Sequence, residues 1–443
     1  MSDKTSKTGG GDPSRRQFLK TSSVIAGGAL AGGLSIGRSA HGAMVDETIK
    51  IGLIGCGGRG TGAANQAMRT AGPTKLIAVA DAFSDRMAGC LGTLNRDHKD
   101  KMDVPKGRQF VGFDAYKKLL AIKDIDLVLI ATPPGFRPIH FEEAVKNGKH
   151  VFAEKPLAVD APGVQQFLSA NKIAKEKNLL VQIGLQRHHE KRYIETIKRL
   201  KDGAIGDINL MRAYWNGGGV WTRPRKANQT EMEYQMRNWY YFNWLCGDHI
   251  NEQHIHNLDV INWLKDGPPV ECNAQGGRQV RTSKEHGEIY DHHFVEYTYA
   301  DGSKMFSQCR HIRNCWNSVS EHAHGSQGSA NISGAAIYDK AGNKTWSYGR
   351  GGGGGHQQEH HDLFAALRRG ERPNEGDYGA HSTMTAILGR MASYSGKSIK
   401  YEDALNSKLS LAPAEYDFKA TPPVTPDADG FYKIPQPGSA KVL

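Results

Sequence analysis

The chain has 443 residues, of which 23% are charged and 38% hydrophobic, and its mean hydropathy is −0.55. This composition is typical of a soluble globular protein with room for two or three domains, and it excludes a bundle of transmembrane helices. The net charge of +11 is spread without long runs of lysine and arginine. It therefore does not favour nucleic-acid binding, which needs a clustered basic surface.

The first 43 residues have the pattern of an export signal. Residues 14–20 read SRRQFLK, and an apolar stretch rich in glycine and alanine follows over residues 21–36. This order is typical of a twin-arginine signal peptide, so we predict a periplasmic protein with a cleavage site near residues 40–43. Because this route carries proteins that folded in a reducing cytoplasm, we expect the six cysteines to be free thiols.

Alternating strand and helix patterns follow the leader. Residues 49–54 are a continuous apolar strand, and similar strands precede Asp81, Thr132 and Glu154 with helical segments between them. Continuous apolar strands separated by helices predict a parallel sheet covered on both faces. We therefore predict an α/β Rossmann domain over residues 48–178.

A glycine motif at the end of the first strand predicts a dinucleotide site. Gly55, Gly57 and Gly60 have the GxGxxG spacing, and Asp81 ends the next strand 21 residues further on. Such glycines permit a tight turn and let a pyrophosphate approach a helix N-terminus, while the carboxylate binds the ribose hydroxyls. Asp81 favours NAD over NADP, although the nearby Arg86 leaves NADP possible. The alternative is a glycine-rich turn in an unrelated α/β fold.

The second half of the chain has a different pattern. Period-two strands joined by turns predict an α+β domain with a large, mostly antiparallel sheet over residues 179–358. Residues 359–443 are predicted to be C-terminal helices and a tail that pack back on the core. We interpret the five-glycine run at residues 351–355 as a surface connection rather than a phosphate-binding loop.

Several motifs together resemble one family. IATPPG at residues 130–135, AEKPLA at residues 153–158 and HNLDVINWL at residues 256–264 are similar to motifs of the glucose–fructose oxidoreductase / inositol dehydrogenase (Gfo/Idh/MocA) family. The resemblance implies a sugar or polyol dehydrogenase in which Lys155 reaches both the nicotinamide ribose and the substrate hydroxyl. The predicted cofactor contacts are Gly55, Gly57, Gly58, Arg59, Gly60, Asp81, Thr132, Pro133, Glu154 and Lys155.

The resemblance also implies a second catalytic element on a helix. The family pattern Asp-x-Gly-x-His-x-x-Asp corresponds to Glu252, His254, His256 and Asp259, so glutamate replaces the first aspartate and histidine replaces the glycine. These two departures put inositol dehydrogenase activity in the strict sense in doubt.

The same residues suit carbinol oxidation on chemical grounds. On a continuous helix Glu252 and His256 share a face, where the carboxylate orients the imidazole. His256 would accept the hydroxyl proton while Lys155 polarises the oxygen. Arg187, together with His254 and Asp259, is predicted to contact substrate. The alternative is a set of structural polar residues at a helix–sheet junction.

Two further features bear on the pocket. The tryptophans in residues 215–225 and 239–244 suit a carbohydrate cleft, although each one is also a plausible core residue. His249, Glu252 and His256 share a face with metal-ligand spacing, but nothing in the sequence completes a ligand set, and we predict no metal.

The export signal restricts the reaction, because no free NAD pool is expected in the periplasm. We therefore predict an exported NAD(P)-dependent oxidoreductase acting on a CH–OH group of a sugar or polyol with tightly bound cofactor. The alternatives are a redox-neutral NAD-dependent glycoside hydrolase or lyase that works through a transient keto-sugar, or a non-catalytic sugar-binding protein. We expect a homo-oligomer, a dimer or tetramer, with no nucleic-acid partner and no stable membrane insertion after signal cleavage.

Overall fold

The structure is a computed structural model that describes residues 47–443, so the predicted signal peptide lies outside the described residues. The strands of this part form two sheets, one of six strands and one of nine. None of its helices combines the length and the apolar character needed to cross a lipid bilayer.

The first sheet is entirely parallel and has the strand order β3-β2-β1-β4-β5-β6. Its strands are β1 Ile49–Ile54, β2 Thr74–Asp81, β3 Gln109–Val111, β4 Leu127–Ile130, β5 His150–Ala153 and β6 Val181–Ile183. The chain order reverses between β1 and β4, and in open parallel sheets ligands bind in the crevice at that point.

Helices cover both faces of the parallel sheet. Its own helices are α1 Gly58–Met68, α2 Ser84–His98, α3 Ala115–Leu120, α4 Arg137–Lys146 and α5 Ala161–Glu176. One apolar cluster contains residues of α1 and α2, and another contains residues of α3, α4 and α5. The continuous apolar strands are therefore buried on both sides, and the predicted Rossmann fold is confirmed.

The second sheet is mixed, with the order β14-β13-β12-β11-β7-β10-β9-β8-β15. Its strands are β7 Ile208–Gly217, β8 Glu271–Gly277, β9 His292–Thr298, β10 Lys304–His311, β11 Ser318–Gly325, β12 Gly328–Asn331, β13 Ala336–Asp339, β14 Lys344–Ser347 and β15 Ile399–Lys400. β7 and β10 pair in parallel, and the other described pairs are antiparallel. Buried and partly exposed residues alternate along β10, as expected for a sheet with one covered face. The predicted large, mostly antiparallel sheet is confirmed.

The remaining helices follow β6 in the chain. They are α6 Lys191–Lys201, α7 Glu231–Arg237, α8 Asn243–Cys246, α9 His249–Glu252, α10 Ile255–Lys265, α11 Gly355–Arg369, α12 Gly376–Ser395 and α13 Tyr401–Leu405. The mostly buried α12 packs against α5 of the first sheet and against β8 and β9 of the second. On α12, Thr383 accepts a hydrogen bond of 3.1 Å from the Leu157 N–H. One helix thus fixes the chain just after Lys155 relative to the second sheet.

Two features cross the predicted domain boundaries. The predicted boundary at residue 178 precedes β6, which is the sixth strand of the parallel sheet. Helix α11 also returns to the first sheet, since Leu363, Phe364 and Leu367 belong to the same apolar cluster as β1 and α1. The dinucleotide-binding fold therefore uses residues from two distant parts of the chain.

The glycines of α1 provide a test of this packing. A Cβ added at Gly60 would lie 1.8 Å from the Gly55 carbonyl oxygen, whereas one at Gly62 would meet only the Arg59 guanidinium at 3.7 Å. We expect Gly60→Ala to lower the free energy of unfolding by about 1–3 kcal/mol through overpacking. Gly62→Ala, on the same helix, should instead raise it by about 0.5–1 kcal/mol, because alanine is the better helix former. Denaturant unfolding of both variants measures this, and equal effects would contradict the close packing at Gly60.

Candidate active site

A cavity of about 740 Å³ lies at the carboxyl ends of the parallel strands and extends to the second sheet. Of the predicted site residues, it is lined by Gly55, Gly57, Gly58, Arg59, Asp81, Thr132, Pro133, Glu154, Lys155, Arg187, Glu252 and His256. Gly60 lies directly behind this lining, against Gly55. The structure therefore brings nearly all of the predicted residues to one place.

The glycine turn has the geometry of a pyrophosphate cradle. Gly55 has φ +96°, and a Cβ there would lie 2.7 Å from the Ala131 carbonyl carbon, so only glycine fits. A Cβ at Gly57 or Gly58 would meet no atom within 4 Å, so this backbone borders open space. Helix α1 begins at Gly58 with no side-chain cap and no acidic residue in its first turn. Its N-terminus is thus available to an anion, and the residues present fit a dinucleotide.

Asp81 is held rigidly at the end of β2. Its carboxylate accepts hydrogen bonds from the Cys56 N–H at 2.6 Å and the Phe83 N–H at 2.8 Å. Burial raises the pKa of this carboxyl, and the two N–H donors oppose that rise. The carboxylate is therefore oriented beside the glycine turn, where a ribose would lie. Arg86 also lines the cavity.

Aromatic rings close the Asp81 end of the cavity. Phe83, Phe113 and Phe136 line it, and the C-terminal segment packs behind them. The Phe418 ring lies 4.8 Å from Phe113 and 5.5 Å from Phe83, and the Tyr416 ring lies 5.6 Å from Phe136, centroid to centroid. The sequence motifs gave no signal for these contacts, because they join residues about 300 positions apart.

An ion pair links α7 to the Rossmann domain at the same end of the cavity. The Arg237 guanidinium binds both Asp85 carboxylate oxygens at 3.1 Å and lies 4.0 Å from the centre of the Phe83 ring. This contact lowers the pKa of Asp85. The segment that carries Arg237 thus spans the cavity from the second domain to the first.

Arg137 was not identified from the sequence, although it directly follows the TPPGF motif. It is almost fully buried and donates hydrogen bonds to the carbonyl oxygens of Thr132 and Pro156. Burial lowers its pKa to about 10. Arg137 therefore holds together the loops after β4 and β5, on which Thr132, Pro133 and Lys155 lie.

Lys155, in the loop after β5, forms an ion pair inside the cavity with Glu252 of the second domain. Its Nζ donates to the Glu252 carbonyl oxygen and lies 3.1 Å from Glu252 Oε1. The two side chains are only 12% and 15% exposed, so this charged pair is largely shielded from water. The neighbouring Glu154 forms an ion pair of 2.7 Å with Arg59 of α1. Both members of the Glu-Lys dipeptide are therefore fixed by opposite charges.

His256 is a buried, neutral imidazole on the cavity wall. Burial lowers its pKa well below the usual value, and the positive charges of Lys155 and Arg187 lower it further. Its Nδ1 is buried without a hydrogen-bond partner, and its ring is nearly parallel to Trp215 at a centroid distance of 5.9 Å. A buried neutral histidine is unprotonated and can therefore accept a proton.

The predicted pairing of Glu252 with His256 is wrong. Helix α9 ends at Glu252 and α10 begins at Ile255, so the two residues do not share a continuous helix face. The Glu252 carboxylate binds Lys155 instead. The local i,i+4 rule failed because a buried cation from the other domain is the stronger partner for this carboxylate.

The three predicted substrate contacts divide into two groups. Arg187 lines the cavity and forms a buried ion pair with Glu321. His254 and Asp259 are not among the lining residues. His254 Nε2 lies 2.7 Å from the Ser307 hydroxyl oxygen, and burial lowers the pKa of His254 to about 3. The Asp259 carboxylate binds His188 Nε2 at 2.8 Å and accepts a hydrogen bond from a serine on α12. The position of these two side chains supports a structural role.

The five-glycine run is not a connection remote from the site. It joins β14 to α11, which begins at Gly355, and His356 in the first turn of α11 lines the cavity. Gly351, Gly353 and Gly354 are exposed and none of the five glycines lines the cavity, so the interpretation of the run as a surface connection is confirmed. The strand-to-helix transition around the glycines, which the sequence pattern left unresolved, is the signal that could have found His356.

The predicted aromatic cleft is found in part. Trp215, Trp221 and Trp239 line the cavity, whereas Trp244 is buried in a core cluster. The Trp221 side chain is 39% exposed, with the Arg223 guanidinium 4.9 Å from its ring centre. The cavity thus offers flat apolar faces of the kind on which sugar C–H groups stack.

The three candidate metal ligands do not converge. His249 instead lies with Asp248 and His293 in a fully buried group whose ligand atoms are within 4.8 Å of one another. The Asp248 carboxylate already accepts hydrogen bonds from Tyr394 at 2.6 Å and the Tyr290 N–H at 2.9 Å. The Arg281 guanidinium lies 3.5 Å from His249 Nδ1, and its positive charge opposes a metal cation there.

Comparisons with known proteins match both domains. A family model described as an oxidoreductase family with an NAD-binding Rossmann fold matches residues 49–185, and the GFO/IDH/MocA C-terminal domain matches residues 193–331. The inositol 2-dehydrogenase of Gluconacetobacter diazotrophicus is 27% identical over 54% of this chain and 60% of its own length. That of Serratia proteamaculans is 26% identical over 58% of this chain and 66% of its own length. The chain thus matches less than two thirds of the length of these relatives.

Solved structures show the same fold. An aldose–aldose oxidoreductase from Caulobacter crescentus has a TM-score of 0.62 at 18% identity, covering 80% of this chain and 100% of that one. A scyllo-inositol dehydrogenase from Lactobacillus casei, with bound NAD(H) and scyllo-inositol, has a TM-score of 0.62 at 19% identity and the same coverage. The glycine turn, Asp81 and the lysine of the EKP motif all lie within the residues that the first family model matches. The chain belongs to the GFO/IDH/MocA family of oxidoreductases.

Proposed function

We propose that the chain oxidises a CH–OH group of a sugar or polyol with an NAD(H) that it keeps bound between turnovers. The observation that carries this proposal is the meeting of Lys155, Glu252 and His256 in the same cavity as the dinucleotide cradle. An ammonium group and a neutral imidazole on one wall supply what the removal of a hydroxyl proton requires.

Each residue of this group has a separate role in oxidation of the CH–OH group. Bound NAD supplies the hydride acceptor. Lys155, oriented by Glu252, hydrogen-bonds the substrate hydroxyl and stabilises negative charge on its oxygen as the proton leaves. His256 accepts that proton, because its low pKa leaves the imidazole unprotonated at neutral pH. Trp215, whose ring is nearly parallel to that of His256, places an apolar face beside this step.

Contacts across the cavity support retention of the cofactor. The Arg237–Asp85 ion pair and the packing of Phe418 on Phe83 and Phe113 join the second domain and the C-terminal segment to the Asp81 end of the Rossmann domain. These contacts would restrain a dinucleotide bound there. We infer that they open slowly relative to turnover.

The predicted export would require the same retention of cofactor, although the predicted signal lies outside the described residues. The SRRQFLK pattern at residues 14–20 is typical of the twin-arginine route, which carries folded proteins. A periplasmic enzyme with retained NAD(H) must pass its hydride to a second molecule, or back to the same one, before it can act again. A protein of the same fold is named an aldose–aldose oxidoreductase, and the curated relatives are named inositol 2-dehydrogenases. We therefore propose transfer of hydride from one sugar or polyol to another.

The retention contacts also favour a second candidate, a redox-neutral glycoside hydrolase or lyase. Oxidation at a ring carbon acidifies the neighbouring C–H, and elimination of that proton expels the glycosidic group. In a hydrolase, water then adds to the resulting double bond, and in both cases the hydride returns to the ketone of the same ring. This reaction needs a retained cofactor as well. It differs in that the hydride returns to the sugar from which it came instead of passing to a second one, and a free aglycone is released.

The oligomeric state stays a prediction. Phe294, Trp316 and Val319 on strands or loops of the second sheet are 41%, 62% and 47% exposed. A second copy of the chain would cover such apolar side chains. Light scattering of the purified chain measures this directly.

Cofactor content tests the proposal. The full chain, purified from periplasm without added nucleotide and then heated, should release about one NAD(H) per chain. Arg237→Ala should release NAD(H) faster, on the order of fivefold, as the loss of ~1 kcal/mol from a partly exposed ion pair implies. Arg369→Ala is the matched control, because Arg369 also forms a bidentate pair, with both Glu371 oxygens at 2.7 Å, but outside the cavity. An empty parent site, or equal release from both variants, would contradict retention.

The pH dependence of oxidation tests the assignment of His256. Because the pKa of His256 is lowered, the imidazole stays unprotonated as the pH falls through 6.5, its usual pKa. The acid limb of kcat/KM should therefore lie well below pH 6.5. His256→Asn should lower kcat by about 10²–10⁴-fold, whereas His98→Asn, at the end of α2, should not. A limb at pH 6.5 or above, or an active His256→Asn variant, would show that another group accepts the proton.

A further inference from the structure

We propose that Gln253 determines substrate specificity: His311 fixes its side-chain amide so that the NH₂ group faces the cavity and donates to an oxygen of the substrate. This inference rests on the proposed function, since it assigns a role in recognition of the sugar or polyol. Gln253 lies next to Glu252, and both line the cavity. Neither the glycine motif nor the catalytic element includes it.

A chain of hydrogen bonds determines which way the amide points. A guanidinium group can only donate, so Arg281 Nη2, 2.5 Å from His311 Nδ1, makes that nitrogen an acceptor. A neutral imidazole whose Nδ1 accepts carries its hydrogen on Nε2. His311 Nε2 lies 2.7 Å from Gln253 Oε1 and therefore donates to it. The amide oxygen is thus engaged on the side away from the cavity.

The reverse orientation of the amide is disfavoured. A flipped amide would direct its NH₂ group at the His311 Nε2–H, so that two donors would face each other and the bond would be lost. His311 cannot readily change tautomer, because Arg281 is buried and its Nη1 also donates to the Tyr290 carbonyl oxygen at 2.5 Å. The Tyr240 ring, stacked on His311 at 6.1 Å, restricts rotation of the imidazole. Burial lowers the pKa of His311 well below its usual value, which keeps the ring neutral.

The free NH₂ group therefore selects for an acceptor. Within residues 47–443, no protein group accepts a hydrogen bond from Gln253 Nε2. The group can only donate, so its partner is a hydroxyl or carbonyl oxygen of a polyhydroxylated ligand. A site built to donate to a substrate oxygen discriminates strongly against an analogue that lacks this oxygen. Gln253 should therefore recognise one hydroxyl other than the one that is oxidised.

The test measures binding as well as turnover. Calorimetry on the NAD-loaded full chain would give Kd for a panel of inositols and hexoses, each beside its monodeoxy analogues. In the parent chain one deoxy position should weaken binding by about tenfold or more. In Gln253→Leu this penalty should fall to about twofold or less, while the other deoxy penalties stay unchanged. His311→Phe, which keeps a ring beside Tyr240 but frees the amide, should reduce the same penalty and no other.

The control variant is measured with the same panel of sugars, inositols and deoxy analogues. Gln275→Leu, at an exposed position of β8, should retain all parent penalties. The proposal is overturned if no deoxy position carries a penalty in the parent, if the penalty persists in Gln253→Leu, or if all ligands weaken equally. Because binding is measured independently of turnover, a parent chain that binds selectively but oxidises none of the panel would contradict the proposed function while leaving the role of Gln253 intact.

Discussion

The ion pair between Lys155 and Glu252 is the interaction on which the rest of the site depends. Lys155 follows the fifth strand of the Rossmann sheet, and Glu252 ends a short helix of the second domain. A buried lysine without a partner would be strongly unfavourable, so the pair ties the position of one domain's loop to the other. Two hydrogen bonds hold the same loop: Arg137 donates to the Pro156 carbonyl oxygen, and Thr383 accepts from the Leu157 N–H.

The electrostatics of the cavity follow from this arrangement. Burial is the main cause of the lowered pKa of His256, and the positive charges of Lys155 and Arg187 lower it further although both cations are paired with carboxylates. A neutral base next to a fixed ammonium group suits removal of a hydroxyl proton far better than a protonated histidine would. The carboxylate that sequence spacing assigned to His256 contributes indirectly, by positioning the lysine.

Local sequence predicted the parts of the site that local geometry determines. Gly55, Gly57 and Gly60 with Asp81 could be found because a strand, a turn and a helix N-terminus lie within one short stretch of chain. Lys155 and His256 followed from the family resemblance. The partner of Glu252 could not be predicted from local sequence. A break between α9 and α10 separates Glu252 from the helix that carries His256, and Lys155, which is distant in the sequence, binds the carboxylate.

The remaining contacts depend on tertiary structure alone. The Arg237–Asp85 pair joins residues 152 positions apart, and the hydrogen bond from His311 to Gln253 joins residues 58 apart. Arginine, aspartate, histidine and glutamine are common on surfaces, so nothing in their spacing marked them. The same holds for His356, which reaches the cavity only because α11 returns to the Rossmann sheet.

The central claim is that hydride passes from one sugar to another through a cofactor that stays bound, and isotope transfer tests it most directly. The purified holoprotein would be given a sugar deuterated at its carbinol carbons together with an unlabelled second sugar as acceptor. We predict deuterium on a carbon of the second sugar and none in free NADH. Deuterium in free NADH would contradict retention of the cofactor, and deuterium that only returns to its original carbon would contradict transfer between sugars.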